Sequence, residues 1–208
     1  LTHVVDAVGL LRGSQSWLDQ EQAGMVAWFT AYLEWLRTSK HGREESAARN
    51  NHGTWYDVQV AAFALFTGQD QAAREVIAAS RKKRIARQVE PDGRQPAELA
   101  RTKPFGYTTF NLQALFTLAT LGQTVNVDLW RYETADGRSL RKALDFLADY
   151  AIDYDSLYRG GPPDYEIIDY LHRNGQLVAF NLGNVFNAGI EGGEVGGDVV
   201  LDRVEVGG

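Results

Sequence analysis

The sequence predicts an all-α protein built of helical hairpins, and three observations carry that prediction. Apolar residues recur at helical spacing in several long windows. The breaks between those windows hold Gly, Pro, Asp and Asn, which stop helices and form turns. No window before residue 190 alternates apolar and polar positions as a half-buried strand would.

The chain opens on LTHVVDAVGLL, with no initiator Met and no signal-peptide pattern, and reads like the middle of an element. A fragment is the expectation. Residues 16–38 give the cleanest helix: Met25, Trp28, Phe29, Tyr32, Leu33 and Leu36 fall on one face, and Ser16 with Asp19 suits a cap. A second helix is expected from Trp55 to Phe66, with Val58, Ala62, Leu65 and Phe66 inward and Gly68 as its stop. A third runs from about Gln71 to Arg87. It ends in RKKRIAR, where positive charge suits a helix C-terminus and otherwise reads as a solvated face. VEPDGRQPAE is a loop by its composition.

A fourth helix is expected over Thr108–Leu121. A fifth covers Ser139–Ala151, with Leu140, Leu144, Leu147 and Ala151 sharing a face. Residues 165–187 have room for one or two more. Residues 1–190 thus form one helical domain, followed by a glycine-rich tail at 191–208. Its DVVLDRVEV has a strand-like pattern, and an edge strand, the start of a β-domain and a disordered end all stay open.

Composition narrows the function. A chain of 208 residues with 44% apolar and 23% charged residues suits a soluble globular protein with a sizeable core. No apolar run reaches the roughly 20 residues of a membrane span, so no membrane partner is expected. A net charge of -6 argues against bulk electrostatic binding of nucleic acid, while leaving room for a local basic cleft. Without cysteine there is neither disulfide nor thiolate metal site, and the redox compartment is unreadable. Oligomeric state is not visible.

Two stretches concentrate reactive side chains. The first, EESAARNNHGTWYDVQ at residues 44–59, places Asn50, Asn51 and His52 at what reads as a turn between helices. A lone histidine in a turn is more often a surface or capping residue, the asparagines are ordinary caps, and Trp55 and Tyr56 suit a core. The second, DGRQPAELARTKPFGYTTFNL at residues 92–112, gathers Arg94, Arg101, Lys103 and Tyr107. Its plain reading pairs Arg101 with Glu98 and buries the Tyr107 ring. Its functional reading assembles cationic and phenolic groups for an anionic, hydroxylated substrate.

Taken together, NNHGTWYDVQ and, about fifty residues later, ELARTKPFGY resemble the catalytic half of the alginate lyase superfamily with a helical toroid fold. WFTAYLEWLRTS before them and DLWRYETADGRSLRKALDFL after them resemble the surrounding sequence, so the likeness covers roughly residues 15–150. It implies an incomplete (α/α) toroid lacking the family's upstream half. Arg101 and Tyr107 stand six apart, where one branch of the family has seven.

The implied chemistry is β-elimination on a polyuronate, with no metal or cofactor. Loss of the C5 proton builds an enolate-like dianion, which Asn51 with Arg101, and Asn50 beside them, would stabilise as donors aimed at the C6 carboxylate. Tyr107 would protonate the O4 leaving group. A tyrosinate held by Arg101 and His52 would serve as base as well where both steps use one side of the sugar, as for mannuronate. His52 would be the base for guluronate. Trp55, Tyr56, Asn50, Arg94 and Lys103 are the substrate-binding candidates, and Arg49, Arg94, Arg101 and Lys103 would supply local positive charge. The expected partner is an anionic polysaccharide, and the resemblance implies a secreted or periplasmic enzyme. A non-catalytic carbohydrate-binding helical protein, or an inactive fragment, is the first rival. A glycoside hydrolase using Asp57, Glu90 or Glu98 is the second.

Overall fold

The computed structural model describes residues 1–152. The expected helices at 165–187 and the glycine-rich tail lie outside the described residues. Within them the chain is mostly helical, and its one β feature is an isolated bridge between Glu133 and Ser139.

The opening segment forms α1 (Thr2–Leu11), burying Val5 and Val8. The strongest apolar stripe forms α2 (Asp19–Thr38). Its cap differs from expectation: the Leu18 N–H donates to the Glu21 carboxylate at 2.5 Å, so Ser16 and Asp19 play no capping part. The stripe is also narrower than six residues. Phe29, Leu33 and Leu36 are buried, whereas Trp28 is 50% exposed and stacks on Tyr32 along the flank.

The helix α3 (Lys40–Ala47), sequence KHGREESA, carries no apolar stripe and so was not foreseen. Local bonding and close packing form it instead. The Ser39 hydroxyl accepts from the Gly42 N–H at 3.0 Å. A Cβ at Gly42 would lie 1.7 Å from the Leu36 carbonyl oxygen, so only glycine lets α3 turn back this tightly on α2.

The core is centred on α4 (Asn51–Phe66) and α8 (Pro104–Thr124), which are buried on more than one face. The first begins four residues before the expected Trp55, because Asn50 acts as its cap. Asn50 Oδ1 accepts from the His52 N–H at 3.2 Å. The second begins at Pro104 rather than Thr108, with proline in the first turn, where its missing N–H costs nothing.

Between these helices run α5 (Asp70–Ser80), a π-helical turn (Arg81–Ile85) and α6 (Ala86–Gln88), in place of one uninterrupted third helix. The expected loop at 89–98 closes with a short helix, α7 (Pro96–Leu99). The last described helix, α9 (Leu140–Ile152), matches the expected fifth helix to within a residue at each end. Among the described residues no helix is long and apolar enough to cross a membrane.

Candidate functional site

The N-terminal end of α4 presents Asn51 and His52. Both lie in its first turn rather than in a loop, so helix geometry fixes their direction. His52 is exposed, and its Nδ1 lies 3.1 Å from Glu45 Oε2 on α3. Glu45 was not foreseen, because α3 itself was not. Asn51 is buried, and its backbone N–H and Nδ2 donate to the two oxygens of Glu98, each at 2.6 Å.

The junction between α7 and α8 supplies the other half. Tyr107 stands in the first turn of α8, and the Arg101 guanidinium lies 4.1 Å from its ring centroid, over the face. Arg101 therefore does not pair with Glu98 as the plain reading of this stretch had it.

A cavity of about 390 Å³ is lined by Asn51, His52, Arg101 and Tyr107 together with Glu45, Trp55 and Tyr56. Two stretches some fifty residues apart in sequence therefore meet at one place. Trp55 packs on Phe110 with centroids 5.0 Å apart, and its indole N–H finds no acceptor among the described residues. Tyr56 is 8% exposed and its hydroxyl donates to the Leu36 carbonyl at 3.3 Å. Burial, then the neighbouring Asp57 charge, pushes its pKa above the usual phenol value. It is a wall of the cavity tied into the core.

Three candidates stand elsewhere. Arg94 is exposed and bonded to Asp92 at 2.6 Å, Lys103 is exposed outside the cavity lining, and Asn50 is occupied as the α4 cap.

The expected solvated run 81–87 is in part a buried anchor. Arg84 is 1% exposed, and its guanidinium grips the fully buried Asp57 at 2.7 and 3.0 Å. It also donates to the carbonyls of Ala48 and Ser46 at 2.7 and 2.9 Å, holding the turn between α3 and α4. The π-helical turn carries Arg84 into that position. Any side chain at Gly53 would collide with this guanidinium and with the Ala48 carbonyl. Lys83 bonds to Ser46 at 2.8 Å beside Asp57, and burial lowers its pKa despite that carboxylate.

A buried amide network joins α4, α6, the loop before α7 and α8. Gln88 Oε1 accepts from Thr54 at 3.0 Å and from Asn111 at 2.9 Å, and Asn111 also donates to Gln95 at 2.7 Å. Gln88 Nε2 donates to the Asn50 carbonyl at 3.3 Å. The site thus stands on a hydrogen-bonded polar frame, in which the Asn111 Oδ1 finds no donor among the described residues. No group of three or more metal-ligating side chains comes together among the described residues.

The family model for alginate lyases matches residues 1–157. The crystal structure of an alginate lyase from Bacteroides ovatus at 1.60 Å resolution is 34% identical, with a TM-score of 0.76 over 88% of this chain and 51% of that one. The chain spans about half the length of that relative. No curated protein matches it.

Proposed function

The chain belongs to the alginate lyase family, and from that premise we propose that it is a polysaccharide lyase cleaving alginate or a related β-1,4-linked uronan by β-elimination. The observation that carries the proposal is the shared cavity, which draws Asn51 and His52 from one stretch and Arg101 and Tyr107 from another.

In this mechanism the substrate's C6 carboxylate meets the Asn51 amide and the Arg101 guanidinium. These preorganised donors stabilise the dianion that forms as C5 loses its proton, each contributing about 3 kcal/mol by analogy with oxyanion donors. The electron pair released at C5 forms the C4–C5 double bond as the C4–O4 bond breaks. Tyr107 hands its phenolic proton to O4. For guluronate, His52 takes the C5 proton. A proton on Nδ1 directed at Glu45 leaves Nε2 as its basic nitrogen, and the carboxylate offsets the positive charge as the ring is protonated. For mannuronate, Tyr107 takes and returns the proton itself. Trp55 and Tyr56 form an aromatic wall beside these groups. A polymeric substrate of this kind supports a secreted or periplasmic location.

The carboxylates that a glycoside hydrolase would need are engaged elsewhere. Asp57 is held by Arg84, Glu98 by Asn51, and Glu90 lies 3.5 Å from Arg138. The test is an ultraviolet time course with poly-mannuronate, poly-guluronate and glucuronan. Elimination leaves a conjugated double bond, so absorbance rises on the true substrate. New reducing ends on a flat trace would indicate hydrolysis. A flat trace without cleavage would indicate a binding protein or an inactive fragment, and repeating the assay with the upstream half restored would separate those two.

A further inference from the structure

Glu98 is 1% exposed, and a carboxylate that deep needs compensating donors. Both come from one residue. The Asn51 backbone N–H reaches Oε1 and the Asn51 side-chain nitrogen reaches Oε2, each at 2.6 Å. Glu98 lies on α7, three positions before Arg101, so this pair of bonds joins the two stretches that line the cavity.

We propose that Glu98 is a positioning residue that fixes the orientation of the Asn51 amide toward the substrate carboxylate. The proposal rests on the lyase function above, because that carboxylate is the group Asn51 would meet. An amide turned end for end keeps its shape but exchanges donor and acceptor. Facing a substrate carboxylate, the oxygen end repels and the nitrogen end binds. A partner able both to donate and to accept would tolerate either orientation. A carboxylate only accepts, so it holds Nδ2 and repels Oδ1, and the charge-assisted bond is stronger than its neutral counterpart. Nδ2 carries two hydrogens, so one remains for a ligand. Capping α4 requires only the backbone bond to Oε1, and the bond to Oε2 is what a purely structural role leaves unexplained.

Glu98→Gln tests this at nearly constant shape. Its oxygen still accepts from the Asn51 N–H, while its NH₂ now faces the Asn51 side chain and favours the reversed amide. Turnover on the preferred uronan is expected to fall about 10²-fold, the scale of one lost oxyanion donor. Added to Asn51→Ala, the same change is expected to cost less than about threefold, because the amide it orients is gone. Losses that multiply in the double variant, or a loss that only follows the folded fraction, would overturn the proposal.

A second measurement does not depend on turnover. In the ¹⁵N-labelled chain the Asn51 side-chain amide should be shifted downfield and slow to exchange, and Glu98→Gln should abolish both. A freely exchanging Asn51 amide in the unmodified chain would refute the clamp. A chain inactive even with the upstream half restored would overturn the lyase function and the positioning role with it, while the amide signal would still report whether the clamp exists.

Discussion

The two ends of α4 are built by different rules. Toward its C-terminus, Phe63 sits at 0% exposure against Phe29 with centroids 4.9 Å apart, and Phe66 meets the same ring edge-on. Toward its N-terminus the buried side chains include Asn51, Thr54 and Asp57, matched by Glu98, Gln88 and Arg84 from other segments. Apolar packing is non-directional and tolerates many arrangements, whereas each buried polar group needs its own partner at a set distance. One end therefore supplies stability, and the other uses part of it to hold reactive side chains in one geometry.

The largest effect should come from the cavity itself. His52→Ala and Tyr107→Phe are each expected to lower turnover by about 10²–10⁴-fold, the usual share of a proton-transfer group. The helical circular-dichroism signal should not change, because His52 is exposed and Tyr107 keeps its ring beneath Arg101. His52→Ala should weaken guluronate cleavage more than mannuronate cleavage. Equal losses on both polymers would assign His52 a binding or positioning role instead of the base.

Stability separates the ends next. Phe63→Ala empties fully buried space and should cost about 3–5 kcal/mol. Asp57→Asn leaves Arg84 buried with its charge uncompensated and should cost a similar 3–5 kcal/mol. Thermal melting would register both. Activity per folded molecule should fall only for Asp57→Asn, since Arg84 also holds the Ser46 and Ala48 carbonyls of the turn leading into Asn51 and His52. An Asp57→Asn variant that melts early but turns over normally would mean the ion pair serves the fold alone.

This division also explains what was legible in the sequence. The apolar end announces itself by period, so α2, α4, α8 and α9 could be expected from spacing alone. The polar end works through partners distant in sequence. Arg84 sits in a basic run that looks solvated until Asp57, 27 residues earlier, is brought to it. Glu98 reaches Asn51 across 47 residues, and no local spacing signals that bond. Asn50 was recognised as a turn or cap residue, but the helix it caps begins at once, which moved His52 from a loop onto α4. The partner of Arg94 is legible in the sequence, because Asp92 lies two residues away. The four cavity residues of the two motifs stood out through family resemblance. Glu45 has no such mark and depends on the polar helix α3.

The smallest effect contrasts the buried Asp57–Arg84 pair with a partly exposed one in the loop before α9. Arg138 bonds Asp136 at 2.8 Å and reaches the Ala86 and Val89 carbonyls at 3.3 and 3.1 Å, tying the loop before α9 to the segment around Gln88. The Thr134 hydroxyl, and then Arg138, hold the Asp136 carboxyl below its ordinary value of 3.8. The folded chain therefore binds fewer protons there than the unfolded chain, so this stabilisation is complete above the unfolded value. It is lost as pH falls through the lower folded value. Asp136→Asn should reduce the melting temperature slightly at pH 6 and flatten the part of the acid decline that lies below about pH 4. Water screens this pair, so the shift should be far smaller than for Asp57→Asn. If the two substitutions cost the same, burial would not be what distinguishes these pairs, and the contrast between a committed interior and an adjustable rim would fail.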